Sequence, residues 1–335
     1  VILETSFLTR SGNVMDTPWN LVLVGSGWAH HAIAVAQEDP QIRLAAIVAR
    51  GSERSLALAA RCGVPLVHAV EEIPPEASPR VAVVAVDEQV TPAVARALLA
   101  RGCHVLCAHP VARTASEVRE LATAAAQHGR LIATDYTLPL AAGARVAREA
   151  LAEEGPLLRV AVEHPGRLLP MALHLACFFA GPVLGVHASR VVPSSLQGQA
   201  RASPGAFSPS LLLEHESGVI SSLLGVPHAQ TSEAFRCTLS GARGRLDVDL
   251  PGGEVRRVCL GSSGQSRTQV LHRGGADEDP FGGLMRSMTR AFLAAARSGA
   301  SAPCPLSDEA EVRAIWNAIP VALRSRARAT VDSSR

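Results

Sequence analysis

The chain contains no lysine at all and only one tyrosine, Tyr136. Arginine therefore supplies all 32 of its fixed positive side chains, and any mechanism that uses lysine as base, proton relay or Schiff-base former is excluded. The bias, with its abundant alanine, fits a GC-rich coding sequence, so the missing lysine removes mechanisms without naming one. Charge of one sign is also scarce. The formal net charge is +2 and the basic residues are scattered, which argues against nucleic acid as a partner. No apolar run reaches the ~18–20 residues of a membrane span, and residues 1–16 lack the basic-then-apolar order of a signal peptide. The seven cysteines are odd in number and dispersed. Cys103 and Cys107 share one strand face and do not form a knuckle, so reduced, buried thiols in a cytoplasmic protein are expected. No metal is expected either. His30 and His31 are adjacent, and His104 and His109 lack a carboxylate or thiol at ligand spacing. Gly25-Ser26-Gly27 is too short for the elbow of a serine hydrolase.

What is present is apolar and alternating. Hydrophobic residues make up 47 % of 335 positions, enough for two cores, since single cores rarely grow past roughly 250–300 residues. Structure signals begin at about Trp19; residues 1–18 read as an extension, with Met15 a candidate start. From there strands and helices alternate: Asn20–Val24, a helix to about Gln37, Arg43–Ala49, the helix Ser52–Cys62 closed by Gly63, Leu66–His68, the Val/Ala run Arg80–Val86, a helix opened by Thr91-Pro92, His104–Ala108, Ser116–His128 and Arg130–Asp135. This spacing predicts a doubly wound parallel sheet, the Rossmann arrangement, over residues 19–137. Residues 138–323 change pattern and predict an α+β domain. Its strand-like segments, from Val186–Val192 to Arg267–His272, read as an open, mainly antiparallel meander, and two helices follow it, Phe281–Ser298 and Ser307–Leu323. The Ser/Gly/Pro-rich stretch Gln197–Ser208 reads as a candidate lid. Residues 324–335 read as a polar, frayed tail.

The first strand-to-helix turn is Gly25-Ser26-Gly27-Trp28-Ala29-His30. This is the context a dinucleotide fingerprint needs: Gly25 for the tight turn, Gly27 for approach to a pyrophosphate, and a helix N-terminus with free N–H groups. His30 replaces the third glycine and predicts a looser helix–strand contact. An acid at the end of the second strand would select NAD through the ribose 2′-hydroxyl. This chain has Ala49 there, followed by Arg50, Ser52 and Arg54, which suit a 2′-phosphate. NADP(H) is therefore the expected cofactor.

In doubly wound folds the ligand lies beyond the carboxyl ends of the strands. His109 stands at such an end, followed by Pro110, and can donate or relay a proton near neutral pH. Tyr136 follows the last parallel strand, and its phenol is a candidate donor. His174, in the apolar helix Leu168–Ala180, is the third candidate. Asp135 should point away from Tyr136 by strand alternation, and so away from the pocket.

These residues resemble the Gfo/Idh/MocA oxidoreductases: the glycine turn, the strand ending in x-x-Pro, the helix with a histidine, the open sheet and the final helix starting Pro-Leu-Ser-Asp-Glu-Ala-Glu. The resemblance covers about Asn20 to Leu323. In that family the strand usually ends Glu-Lys-Pro, with lysine assisting hydride transfer at a sugar or inositol hydroxyl. Here it ends Ala108-His109-Pro110, and the usual Asp-x-x-x-His is reduced to Pro170 and His174. The stretches Ala49–Leu66 and His104–Pro110 are similar to one branch, the thiazolinyl imine reductases of siderophore assembly lines such as those for pyochelin and yersiniabactin. That resemblance implies His109 and Tyr136 as proton donors. It also implies a thiazoline, tethered to the peptidyl carrier domain of a nonribosomal peptide synthetase, as the substrate reduced by NADPH to a thiazolidine. On this reading the missing lysine disfavours alcohol oxidation. The family resemblance further implies a homodimer through the C-terminal sheet.

Two other readings stay open. One is a dehydrogenase or reductase of a free sugar, ketone or small imine, which a polar cleft around Glu163, Arg167 and His174 would favour. The other is a catalytically silent NADP-binding regulator.

Overall fold

The computed structural model describes residues 17–27, 30–190, 209–226, 234–260, 265–275 and 279–332. Trp28, residues 1–16 of the expected extension and the expected lid Gln197–Ser208 lie outside them. The N-terminal half alternates β1 (Trp19–Val24), α1 (His30–Glu38), β2 (Ile42–Val48), α2 (Glu53–Cys62), β3 (Leu66–Val67), β4 (Val81–Val84), α3 (Thr91–Ala100), β5 (His104–Cys107), α4 (Ala115–Gln127) and β6 (Ile132–Thr134). The six strands form one parallel sheet in the order β3-β2-β1-β4-β5-β6. The Val/Leu/Ala runs explain it. Leu21–Val24, Val81–Val84 and Val105–Cys107 are buried throughout, as strands covered on both faces must be. Helix ends follow local chemistry. Ser52 caps α2 by accepting the Ser55 N–H at 3.3 Å, and Gly63 closes it in the left-handed region. Thr91 is the first helical residue of α3, with Pro92 next, and its buried hydroxyl donates to the Val86 carbonyl at 3.1 Å.

The second half contains α5 (Ala142–Ala150), β7 (Leu157–Pro165), α6 (Leu169–Ala180), β8 (Val183–Ser189), β9 (Ser210–His215), β10 (Ile220–Val226), β11 (Phe235–Gly241), β12 (Gly244–Leu250), β13 (Val255–Leu260), β14 (Ser266–His272), α7 (Pro280–Ser298), α8 (Leu306–Ser325) and β15 (Ala329–Thr330). Its nine-stranded sheet runs β14-β13-β12-β11-β7-β10-β9-β8-β15. It is mainly antiparallel, but not a simple meander: β7 enters the middle and pairs in parallel with β10. The sheet's buried face, including Val160, Val162, Leu213 and Leu223, is covered by α5, α6 and α8. Leu212 and Leu224 remain exposed on the other face.

Two findings position the site. First, both closing helices return to the Rossmann half: α7 packs on α1, and α8 packs between α4 and β8. The segment entering α8 docks on the edge of β6, where the Thr134 N–H donates to the Cys304 carbonyl at 3.0 Å. Second, the tail is not frayed over its described part. β15 pairs with β8, and Ala329 and Val331 are buried. No described helix is long and apolar enough to cross a membrane.

Candidate active site

A cleft of roughly 630 Å³ opens at the carboxyl ends of β1, β2 and β4 and is lined by the glycine turn, Ala49, Arg50 and Ser52. The turn needs Gly25: its φ is +90°, and a Cβ there would lie 2.2 Å from the Ala85 carbonyl oxygen. At Gly27 an added Cβ would meet nothing within 4 Å, so a ligand can come against bare backbone at the start of α1. His30, in place of the third glycine, is exposed, and its Nδ1 donates to the Gly27 carbonyl, 3.0 Å away. It points out of the helix–sheet contact, so that contact need not loosen. Ala49 stands where an NAD-selecting acid would be, and Arg50 is exposed beside it. Arg54 reaches back to the Gly27 carbonyl at 3.4 Å. A neighbouring recess of about 350 Å³ is lined by Ser26, His30, Arg54 and Arg61, with no carboxylate among its lining residues. Glu71 and Asp87 also line the main cleft, two acids the sequence reading did not place there. The residues present thus fit a dinucleotide, phosphates included.

On the same strand edge, β5 delivers His109, which precedes Pro110 across a cis peptide bond. Asp135 holds it twice: one carboxylate oxygen accepts the His109 backbone N–H at 2.7 Å and lies 2.9 Å from Nδ1. The His109 side chain is 16 % exposed and that of Asp135 only 2 %. The pair is therefore oriented from the protein side and open on the other. Burial opposes a charged ring here, but the charge and hydrogen bond of Asp135, with the charge of Glu309, outweigh it and raise the His109 pKa above the usual histidine value. The expectation that Asp135 faces away is thereby corrected. β6 ends at Thr134, so strand alternation no longer governs Asp135 and Tyr136.

Tyr136 and His174 join His109 in a stack of three rings. The centroids of His109 and Tyr136 are 5.0 Å apart, and those of Tyr136 and His174 are 4.3 Å apart. Tyr136 is buried, and its hydroxyl donates to Glu309 at 2.7 Å. Burial, then the charge and hydrogen bond of Glu309, hold its pKa well above the phenol value. The role of direct proton donor expected for Tyr136 therefore does not fit: its proton is committed to a buried carboxylate, and it serves as the middle plate of the stack. His174 lies 3.3 Å from Asp308 through Nε2. The carboxylate missing at Pro170 is thus met by one from α8. Glu163 and Arg167 are exposed and are not brought into this group.

Sequence reasoning set Asp135 aside and missed Asp308 and Glu309. Glu309 also accepts the Val111 N–H at 3.0 Å, and Arg313, one turn on, pairs with Glu88 at 2.6 Å. The available signal was Glu309 and Arg313, four apart on a helix face that otherwise buries Leu306, Ala310 and Val312. Charges on an inward face need partners.

Comparison with known proteins agrees with this architecture. Residues 19–136 match the Gfo/Idh/MocA oxidoreductase family, NAD-binding Rossmann fold. No curated protein sequence matches the chain closely enough to be informative. Among solved structures, an oxidoreductase from Agrobacterium radiobacter in complex with NAD+, L-tartaric acid and magnesium has 12 % identity and a TM-score of 0.78, over 94 % of this chain and 99 % of that one. A candidate NADPH-dependent oxidoreductase from Desulfitobacterium hafniense DCB-2 has 13 % identity and a TM-score of 0.79, over 94 % and 98 %. A levoglucosan dehydrogenase in complex with NADH and L-sorbose has 15 % identity and a TM-score of 0.77, over 94 % and 99 %. At these identities the likeness shows the fold. The comparisons reach the family and not the thiazolinyl imine reductase branch. Residues 19–136 thus resemble the Gfo/Idh/MocA oxidoreductase family, and the chain as a whole shares the fold of the oxidoreductases named above.

Proposed function

We propose that this protein is an NADP(H)-dependent oxidoreductase for a small polyhydroxylated or carbonyl compound, with His109 as its acid–base group. The observation that carries the reading is the His109–Asp135 pair at the end of β5, where the family resemblance implies lysine. A bound nicotinamide dinucleotide supplies or accepts the hydride. The residues of the chain handle the proton. Asp135 takes the Nδ1 side of the ring and leaves Nε2 for the substrate. In reduction the imidazolium gives a proton to the substrate oxygen; in oxidation the neutral ring takes one from a hydroxyl. A carboxylate-held histidine can therefore do both, and the missing lysine no longer disfavours alcohol oxidation.

The polar pair His174–Asp308 beside the stack supports a substrate with several hydroxyls. The sugar and hydroxy-acid ligands of the solved structures named above point to the same compounds as the first to test. Preference for NADP(H) rests on Ala49 in the acid's place and on Arg50, Ser52 and Arg54 around it. A narrower second reading, reduction of a carrier-tethered thiazoline, is favoured by the His109-Pro110 strand end. There the protonated ring would serve the nitrogen, and no base is needed.

The test is a panel of ketoses, keto acids, cyclic imines and a carrier-bound thiazoline, each incubated with 4-deuterated NADPH. Deuterium transfer to a carbonyl compound, with kcat reduced about 10²–10⁴-fold in His109→Ala, supports the main reading. Transfer to the thiazoline alone supports the second. Tight NADPH binding with no transfer to any compound contradicts both and leaves a nucleotide-binding regulator.

A further inference from the structure

One cluster beside the ring stack is not accounted for by proton handling. His174 on α6, Cys304 on the segment entering α8 and Asp308 in the first turn of α8 each present one ligand-type atom, and these atoms lie within 4.8 Å of one another. Ligands around a tetrahedral zinc ion, at about 2.0–2.3 Å from the metal, sit roughly 3.3–3.8 Å apart. Closing the cluster onto an ion thus takes side-chain shifts of about 1 Å or less. The supporting elements are held already: the Cys304 carbonyl accepts from Thr134 N–H, Ala133 bridges to Pro305, and α6 packs on α8.

The present hydrogen bonds use the three groups incompletely. Nδ1 of His174 is buried with no partner. The Cys304 thiol donates only to the Tyr136 carbonyl, at 3.1 Å. Asp308 makes a long contact of 3.3 Å to His174 and keeps a side chain 35 % exposed. Burial, followed by the charges of Asp308 and Asp135, pushes the Cys304 thiol well up. The same negative surroundings would stabilise a dication.

We propose that His174, Cys304 and Asp308 form a binding site for a zinc-class divalent cation, with a further coordination position open on the exposed side of Asp308. The donor set decides the class. One nitrogen, one sulfur and one oxygen suit zinc or its cobalt substitute, whereas magnesium and calcium demand oxygen. On binding, the metal–sulfur bond replaces the S–H bond and the thiol proton leaves to solvent, so affinity rises with pH. Three protein ligands and an open position is the layout that lets zinc hold water or a substrate oxygen. The site shares His174 and Asp308 with the polar pair beside the proposed substrate, but it is read by zinc binding alone, without turnover.

The experiment uses the full chain after chelator treatment, titrated with zinc against a chromophoric competitor and separately with cobalt. One equivalent per chain and a thiolate-to-cobalt charge-transfer band are expected. Cys304→Ser and Asp308→Ala should each weaken zinc binding by about 100-fold or more, beyond what losing a mere orienting group costs. Cys62→Ser, on the distant helix α2, should leave it unchanged. Absence of stoichiometric binding, absence of the band, or zinc affinity retained in Asp308→Ala overturns the proposal. Asp308→Ala carries the test if Cys304→Ser fails to fold, because its side chain is partly solvent-facing.

Discussion

Glu309 is the point at which α8 grips the strand edge that carries His109 and Tyr136, and its replacement by leucine should be expensive. The carboxylate is 1 % exposed. It accepts the Tyr136 hydroxyl at 2.7 Å and the Val111 N–H at 3.0 Å, and Arg313 Nε lies 3.9 Å away. Glu309→Leu strands two buried donors, at about 1–3 kcal/mol each. Against this, burying a carboxylate is itself costly, and burial does raise the Glu309 pKa despite Tyr136, His109 and Arg313. The net loss should therefore fall at roughly 2–4 kcal/mol, in the lower part of the 2–6 kcal/mol gross range. Glu309→Gln keeps one acceptor and turns an amide N–H toward the other donor, so it should lose about 1–3 kcal/mol. Urea denaturation followed by far-UV circular dichroism should rank the proteins wild type, Gln, Leu. A leucine variant within about 0.5 kcal/mol of wild type, the scatter of ordinary surface changes, would refute the clamp.

Two further outcomes follow from the nucleotide cleft. Arg50→Glu should weaken NADPH binding about 10–100-fold, since a charge pair at about 4 Å is worth roughly 1–4 kcal/mol between bulk-water and surface dielectrics. NADH should change little, and added salt should shrink the difference. Equal losses for both cofactors, read by fluorescence titration, would remove the phosphate assignment. Gly25→Ala should cost about 1–3 kcal/mol in backbone strain, because the new Cβ meets the Ala85 carbonyl at 2.2 Å and φ is +90°. It should also abolish NADPH binding; retained affinity would mean that the cofactor does not use this turn.

Much of the fold was legible because local chemistry and global packing agree. Val81–Val84 and Leu21–Val24 are continuous apolar runs, and such runs form strands covered on both faces. Gly25 and His109 were legible for a related reason: each occupies a strand end, where these folds put ligands. What escaped depends on long-range convergence. Asp308 and Glu309 read locally as ordinary acids in the first turn of a helix. The burial of Glu309 and the reach of Asp308 to His174 follow only once that helix docks on the edge of β6, more than 170 positions earlier in the chain. Asp135 escaped because alternation was carried past the end of a strand. The parallel β7–β10 pair and the short strand β15 carry no local sign of their partners. Tyr136 was noticed for its rarity, but the direction of its hydroxyl is set by Glu309, which the sequence does not place near it.

The central claim is that His109, held by Asp135, handles the proton. It is tested most directly by the pH dependence of NADPH-driven reduction in wild type and Asp135→Asn. His109 has a raised pKa in the fold. Its charged form therefore persists above the unperturbed value of about 6.5, and the pair's contribution to stability is complete below that value and lost as pH rises through the folded pKa. The wild-type reduction rate should hold through about pH 6.5 and fall as pH rises past the raised value. In Asp135→Asn burial is left without its main counterweight, so this alkaline limb should move to lower pH and kcat should drop. An unmoved limb in Asp135→Asn, or one that survives in His109→Gln, would contradict the account.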